Sequence, residues 1–342
     1  MESLNFVNLI QAATLGVSAL GGFLLWRKSD FRGIAFLLWL TAVASGINIL
    51  EETGITRDIY LISPIFIMLL GPATYLAAKH LTTGSVKSTD WIHLLPVVPV
   101  LFFTSHIETV IAIGTVWRLV YVLFTVRLLI LFKKSLDEQR SDSDDFSLRW
   151  FTFVVVGTTL FNLIDLVRLN SQSLIPYELN VLGQGINNGV WLIAAAIIVI
   201  KLLDFKLPPE LGSNVATAGN SQVSEDDYQS AFTELDSLIT TNQWFLQPRL
   251  TLSDVSELTG LQTRDISRAI NTVTHKSFNE YINEYRVKQI CEALDKQSSV
   301  SLTRLYTDAG FSSKASFNKV FKEFKGLTPS QYKSQVSTGS GS

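Results

Sequence analysis

Over its first two hundred positions the chain carries apolar residues in long, nearly unbroken runs. Beyond them, apolar residues recur singly at helical spacing. Seven runs stand in series: Leu4–Trp26, Phe31–Leu50, Ile59–Lys79, Trp91–Ile107, Val110–Phe132, Arg149–Leu169 and Val181–Leu203. A helix that crosses a bilayer needs about 20 mostly apolar residues at a rise of about 1.5 Å each. One or two such runs fit the core of a large soluble protein, whereas seven in series predict a transmembrane bundle. The fourth run is the weakest, being short and carrying Pro96 and Pro99. Together with Pro64 and Pro72, these prolines mark places where spans kink. Glu2 stands where a cleaved leader would carry basic residues, so no leader is expected.

After Leu207 the pattern changes. Pro208, Pro209, Gly212, Ser213, Gly219 and Asn220 break any periodicity, which predicts a flexible linker over residues 207–224. Ser224 followed by Asp227 resembles a helix-start pair and opens an expected helix over Glu225–Thr241. Its apolar residues Phe232, Leu235, Leu238 and Ile239 share one face. From Leu250 onward a short helix, a turn entered through glycine and a second amphipathic helix occur twice. The first unit runs from Leu252 through Gly260 to Val273, and the second from Leu302 through Gly310 to Phe324. A longer helix, Phe278 to Asp295, separates them. The expected organisation is therefore all-α: a seven-helix transmembrane bundle over residues 1–206, the linker, a connecting helix within 225–247, and a domain with two helix-turn-helix motifs over 248–336. The final Gly339-Ser340-Gly341-Ser342 carries no apolar periodic pattern.

Composition agrees with the pattern. Hydrophobic residues make up 47% of the 342 positions and charged residues 17%, below the roughly 25% of ordinary soluble domains. Mean hydropathy is +0.27. Cys291 is the single cysteine, which excludes an internal disulfide framework and a cysteine metal cage. The net charge of −2 is uninformative until the basic residues are placed. Arg27, Lys28, Arg32, Lys79, Lys87, Lys133, Lys134, Arg140, Arg149, Lys201 and Lys206 fall in one set of breaks. The alternate set holds Arg57 and, at a helix end, Arg168. Basic residues near span ends stay in the cytoplasm. The expectation is a multi-pass protein of the bacterial inner membrane, its N-terminus outside and its C-terminal domain in the cytoplasm.

A helix-turn-helix places its second helix in the DNA major groove, where side chains near that helix's start meet base edges. In the first unit Ile266, Ala269, Ile270 and Val273 face inward by spacing, which leaves Arg264, Ser267 and Arg268 outward. In the second, Phe317, Val320, Phe321 and Phe324 form the inward stripe; Lys314, Ala315, Ser316 and Lys319 face out. Residues 248–336 hold thirteen Lys and Arg against nine Asp and Glu. Between Lys314 and Lys333 the balance is five to one, the electrostatic footprint of a DNA-binding face. The acidic group Asp142, Asp144 and Asp145 reads as the solvated face of a cytoplasmic loop.

The second unit reads Gly310-Phe311-Ser312-Ser313-Lys314-Ala315-Ser316-Phe317-Asn318-Lys319-Val320-Phe321-Lys322, followed by Gly326-Leu327-Thr328-Pro329-Ser330-Gln331-Tyr332. This resembles the signature of the AraC/XylS family of bacterial transcription regulators. Ile266-Ser267-Arg268, Asn271, Phe278, Tyr281-Ile282-Asn283 and Tyr285-Arg286-Val287 resemble the same family's first unit. The resemblance covers about a hundred residues. It implies a seven-helix domain that binds double-stranded promoter DNA and works with RNA polymerase. The family's contact positions in the first unit fall on Arg264, Ser267 and Arg268. Gly71-Pro72-Ala73-Thr74-Tyr75-Leu76 is similar to a motif often carried by seven-span relatives. One departure is Tyr306, which occupies a place that usually holds a small residue because two helices approach closely there; a shift of the second unit is expected to make room.

Polar side chains within spans are costly and usually face a cavity or a partner. With the topology above, Asn48, Glu51 and Glu52, Arg118, Asn162, Asp165 and Arg168, and Gln184, Asn187 and Asn188 collect toward the outer side. They form a candidate signal pocket for an unknown small molecule or a proton, with Asp165 and Arg168 also placed to pair at i,i+3. His80, His93 and His106 have no ligand spacing, so no metal and no cofactor are expected. No nucleotide-binding loop, nucleophile elbow or hydrolase pattern occurs. These observations describe a membrane-bound, one-component transcription regulator, which is not an enzyme and is expected to gain affinity by homodimerising on DNA. The rival reading is a transporter or membrane enzyme with a fused regulatory helical domain, and it requires a polar pathway through both leaflets.

Overall fold

A computed structural model describes residues 5–56, 59–103, 106–208, 225–296 and 300–339. From residue 209 onward the expected linker lies outside the described residues, as do Arg57 and Ser224. The fold is all-helical; among the described residues the β-type pairing is one isolated bridge between Arg140 and Thr251. The chain divides into two compact units, Met1–Leu131 with Leu148–Asn214 and Phe132–Ser147 with Val215–Ser342.

The first unit contains α1 (Phe6–Trp26), α2 (Arg32–Glu52), α3 (Ser63–Thr83), α4 (Val97–Phe103), the body of α5 (Ile107–Gln139), α6 (Arg149–Asn170) and α7 (Tyr177–Leu203). Six of these helices are long and apolar enough to cross a membrane. The fourth apolar run differs from the expectation: it folds as a 3₁₀ stretch, Ser88–Leu94, and then the seven-residue α4. Pro96 and Pro99 explain the break, since neither can donate to the carbonyl one turn earlier. Pro96 stands just before α4 and Pro99 in its first turn, where a missing N–H is tolerated, so the α-helix begins only there.

Helix α1 shows how the unit is built. Asn5 caps it by accepting from the backbone N–H groups of Val7 and Asn8. Its buried face carries the polar or small residues Asn8, Gln11, Thr14, Ser18, Gly21 and Gly22 between Val7 and Leu25, whereas Leu9, Leu20 and Phe23 face outward. Gly21 lies against Val199 and Gly22 against Trp39, so the absence of a Cβ lets α1 approach α7 and α2 closely. Outward-facing Leu123, Phe153, Ile164, Ile193 and Ile200 are each at least 60% exposed. A surface this apolar suits lipid rather than water. Lys28 donates to the carbonyl oxygens of Leu202 and Leu203 and so closes the end of α7.

In the second unit, α8 (Glu225–Thr241) leads into α9 (Leu252–Thr259), α10 (Thr263–Thr274), α11 (Phe278–Lys296), α12 (Leu302–Asp308), α13 (Lys314–Lys325) and α14 (Pro329–Gly339). Thr251 and Asp254 cap α9 reciprocally. Two cores straddle α11. Leu235, Ile239, Val255, Ile266, Ile270, Phe278 and Ile282 fill the first; Val287, Ile290, Leu305, Phe311, Phe317, Val320 and Phe321 fill the second. Tyr281 and Tyr285 on α11 both donate to Asp236 Oδ1 on α8, at 2.7 and 2.5 Å. Burial and then the Asp236 carboxylate push both phenols above their ordinary range. Arg286 is 1% exposed and donates to the carbonyls of Phe245 and Gln247, each at 2.7 Å. Burial lowers its pKa to about 10, so it stays charged at neutral pH.

Gly310 is the tightest turn in the second unit. Its φ is +84°, and a Cβ there would stand 2.5 Å from the carbonyl oxygen of Leu246. Conformation and space both require glycine. Tyr306, the residue that departs from the family pattern, stacks on Phe317 with ring centroids 5.4 Å apart. It is absorbed as an aromatic layer between α12 and α13 and joins the second core. Phe324 corrects the expected inward stripe. It is 36% exposed, while the ring of Tyr332 covers its neighbour Phe321 instead.

Candidate nucleic-acid interface and polar cavity

Each of α10 and α13 is the second helix of a helix-turn-helix, fixed by apolar residues three and four apart that point into its own core. Around α10, Ile266, Ala269 and Ile270 are at most 2% exposed, which turns Arg264, Ser267 and Arg268 away from the core. The Arg264 guanidinium is partly exposed and lies 3.6 Å from the carboxylate of Asp265. On α13, Lys314 and Ala315 are exposed and Lys319 is half-buried. Ser316 was expected to face out but is 5% exposed, and its N–H donates to Ser313, the N-cap of the helix. Burial in the first turn of α13 therefore removes it from the outward set.

The stretch Phe132–Ser147, which links α5 to α6 in the sequence, belongs to this second unit. Expected to be a solvated loop, it is instead packed in: Arg140, Ser141, Asp142 and Ser143 are at most 6% exposed. The Ser141 carbonyl accepts from Asn279 at 2.8 Å and Asn283 at 3.1 Å, and its hydroxyl accepts from Arg286 at 3.1 Å. Asp142 is paired with Arg140 at 2.9 Å. Asp144 lies between Lys133 at 2.9 Å and Lys319 at 2.6 Å. Asp145 accepts from Ser312 at 2.6 Å and Ser313 at 2.7 Å. Glu138 accepts from Ser267 at 3.2 Å and Asn271 at 2.7 Å. Both second helices thus meet acidic side chains of one short segment. The acidic stretch was legible in the sequence, but its partners lie more than a hundred positions away.

The polar residues of the first unit divide between one cavity and separate contacts elsewhere. Asn48, Arg118, Asn162, Asp165, Asn187 and Asn188 line one cavity of about 270 Å³. The Arg118 guanidinium lies over the ring of Trp191 at 5.4 Å, and among the described residues no carboxylate is within 4 Å of it. Asp165 accepts from Arg168 at 2.7 Å and from Asn187 at 3.2 Å. Glu51, Arg168 and Gln184 are placed elsewhere. Glu51 caps the start of α3 by accepting from Ile62 and Ser63. Arg168 bridges Asp165 to Asn180. Gln184 donates to Glu52, which also accepts from Asn8 at 2.6 Å and Gln11 at 2.9 Å and so ties α1, α2 and α7 together. Sequence reading placed Glu52 at the end of a span; its role as a junction depends on α1, whose polar face gave no signal of a partner. Next to the cavity, and sharing Thr41, Leu70, Arg118, Asn162 and Trp191 with it, is a small space closed by Phe151, Val155, Ala195 and Ile198.

Two helix-turn-helix units joined by one long helix define a DNA-binding domain with a pair of reading helices. Comparison with known families agrees: the family model of a helix-turn-helix domain matches residues 255–335. This match supports a DNA-binding domain of the AraC type over that stretch, a regulatory rather than an enzymatic domain. No curated protein and no solved structure matches the chain.

Proposed function

We propose that the protein is a membrane-bound, one-component transcription regulator. Its AraC-type domain binds double-stranded promoter DNA in the cytoplasm, and its first unit is a sensor in the bacterial inner membrane; the N-terminus lies outside because the short apolar segment Ser88–Phe103 completes seven crossings with the six long helices. The observation that carries this reading is the presence, on one chain, of six helices apolar and long enough for a bilayer and a double helix-turn-helix domain. Arg264, Ser267 and Arg268 on α10 and Lys314, Ala315 and Lys319 on α13 are the groups assigned to DNA. Arginine grips guanine bidentately, and lysine holds phosphate. RNA polymerase is the partner such a domain serves, and two copies on adjacent half-sites gain affinity through effective concentration.

The cavity beside Arg118 is the proposed signal site. The Arg118 guanidinium and the amides of Asn48, Asn162 and Asn188, with the cavity's one carboxylate among the described residues, Asp165, already paired to Arg168, suit a small polar ligand that carries negative charge. Beyond Arg118 the neighbouring space is lined by Phe151, Val155, Ala195, Ile198 and threonines, with no further charged side chain among the described residues to carry a pathway onward, which favours a sensor over a transporter. Genome-wide mapping of bound sites on membrane-retained protein tests the reading. Discrete promoter peaks that vanish in an Arg264→Ala, Arg268→Ala variant are expected; an even background in both proteins would reject DNA binding.

A further inference from the structure

We infer that residues Glu138–Asp145 are an intramolecular lock, an acidic segment that occupies the DNA-binding face in place of phosphates. The inference rests on the DNA-binding reading above and adds how that face is regulated.

Three carboxylates carry the argument. Glu138 takes hydrogen bonds from Ser267 and Asn271 of the first reading helix. Asp144 takes the ammonium of Lys319 on the second. Asp145 takes both hydroxyls of Ser312 and Ser313, at the turn and N-cap of that helix. Hydroxyl, amide and ammonium groups on a reading helix are donors that can hold a DNA backbone, and each of these faces an anionic oxygen. Spacing along the sequence assigns Ser267 and Lys319 to DNA independently of this segment. The single O–H of Ser267, Ser312 or Ser313 cannot hold a carboxylate and a phosphate at once, and the Asp144 carboxylate repels a phosphate drawn to Lys319, so segment and duplex compete.

The segment is also anchored independently of those contacts. Ser141 is held by Asn279, Asn283 and Arg286 of α11, and its N–H donates to the Leu250 carbonyl at 3.0 Å. The anchor sets the carboxylates between the two motifs, and a duplex that takes their place must also pull Arg140 and Ser141 from it. Because the segment is the covalent link between α5 and α6, a change in those helices reaches it through the backbone alone.

The test uses the full-length protein in detergent micelles, a fluorescent pool of random-sequence 30-base-pair duplexes and low salt. Glu138→Gln, Asp144→Asn and Asp145→Asn are combined, and an exposed-surface control with the same charge change carries Glu257→Gln, Glu292→Gln and Asp308→Asn. The lock predicts that the first variant binds about tenfold more tightly than the control, as when the open state is a tenth of the wild-type population. In the wild type, added duplex should speed tryptic cleavage after Arg140, which is 6% exposed with the segment docked. Equal affinity of variant and control, or cleavage unchanged by duplex, would overturn the lock while leaving DNA binding intact. If neither protein binds any duplex, the DNA-binding reading falls and the lock falls with it.

Discussion

Both units bury apolar cores, but α1 of the first and α10 of the second place their polar residues on opposite faces. In the first, α1 turns Asn8, Gln11, Thr14 and Ser18 inward and Leu9, Leu20 and Phe23 outward. In the second, α10 turns Ile266, Ala269 and Ile270 inward and keeps Arg264 and Ser267 on its other face. Both arrangements obey one rule, since each helix shelters what its surroundings solvate badly. In water that is hydrocarbon. Against lipid it is the amide and the hydroxyl, and Asn8, Gln11 and Gln184 find their partner in Glu52. The outward faces of α1 and α10, more than overall composition, therefore differ in the solvent they suit.

Substitutions can overturn that contrast. The largest effect is expected in the second unit's core. Phe317→Ala removes a ring that is 1% exposed and touches Tyr306, Phe311 and Phe321, and should cost about 3–5 kcal/mol, read by denaturant unfolding. Next is the outer surface of the first unit. Phe153 is 77% exposed, so in water Phe153→Lys would be harmless; facing lipid at mid-depth it should cost about 2.5–3.5 kcal/mol and lower the membrane-integrated yield. Full integration of that variant would contradict the assigned surroundings. At Gly310, alanine should destabilise by about 1–3 kcal/mol, because φ is +84° and the Leu246 carbonyl blocks the space.

The smallest effect concerns Asp236. Its carboxylate accepts from Tyr281 and Tyr285, and Asp236→Asn should lose about 1–2 kcal/mol. The pH dependence has a definite sign. Both phenols are raised above their unfolded value near about 10, so the folded state holds their protons longer. Their contribution is complete below about pH 10 and is lost as pH rises toward the folded values. Thermal unfolding between pH 9 and 11 should therefore show a steeper alkaline decline in the wild type than in Tyr281→Phe.

Much of the fold was legible in the sequence because it depends on local periodicity. The helix Glu225–Thr241 was expected with the bounds it has, and Gly260 and Gly310 marked both turns. Fewer site residues were legible. Glu51, Arg168 and Gln184 looked like cavity residues by depth alone, yet Glu51 caps a helix and the other two are held by neighbours on other helices or turns. Ser316 and Phe324 each fell on the opposite side of exposure from the one spacing assigned. At a helix end, the neighbour that covers a face decides burial, and spacing does not name that neighbour.

Residue order alone was enough to show where most helices start and stop, which runs suit a bilayer and which motif suits DNA, because capping, hydrophobic period and turn chemistry act within a few residues. It took the packed fold to bring Asp144 and Asp145 against Lys319, Ser312 and Ser313 rather than water. Those groups are some 170 positions apart, and an ion pair or hydrogen bond depends on distance in space, about which the order of residues along a chain says nothing at that range.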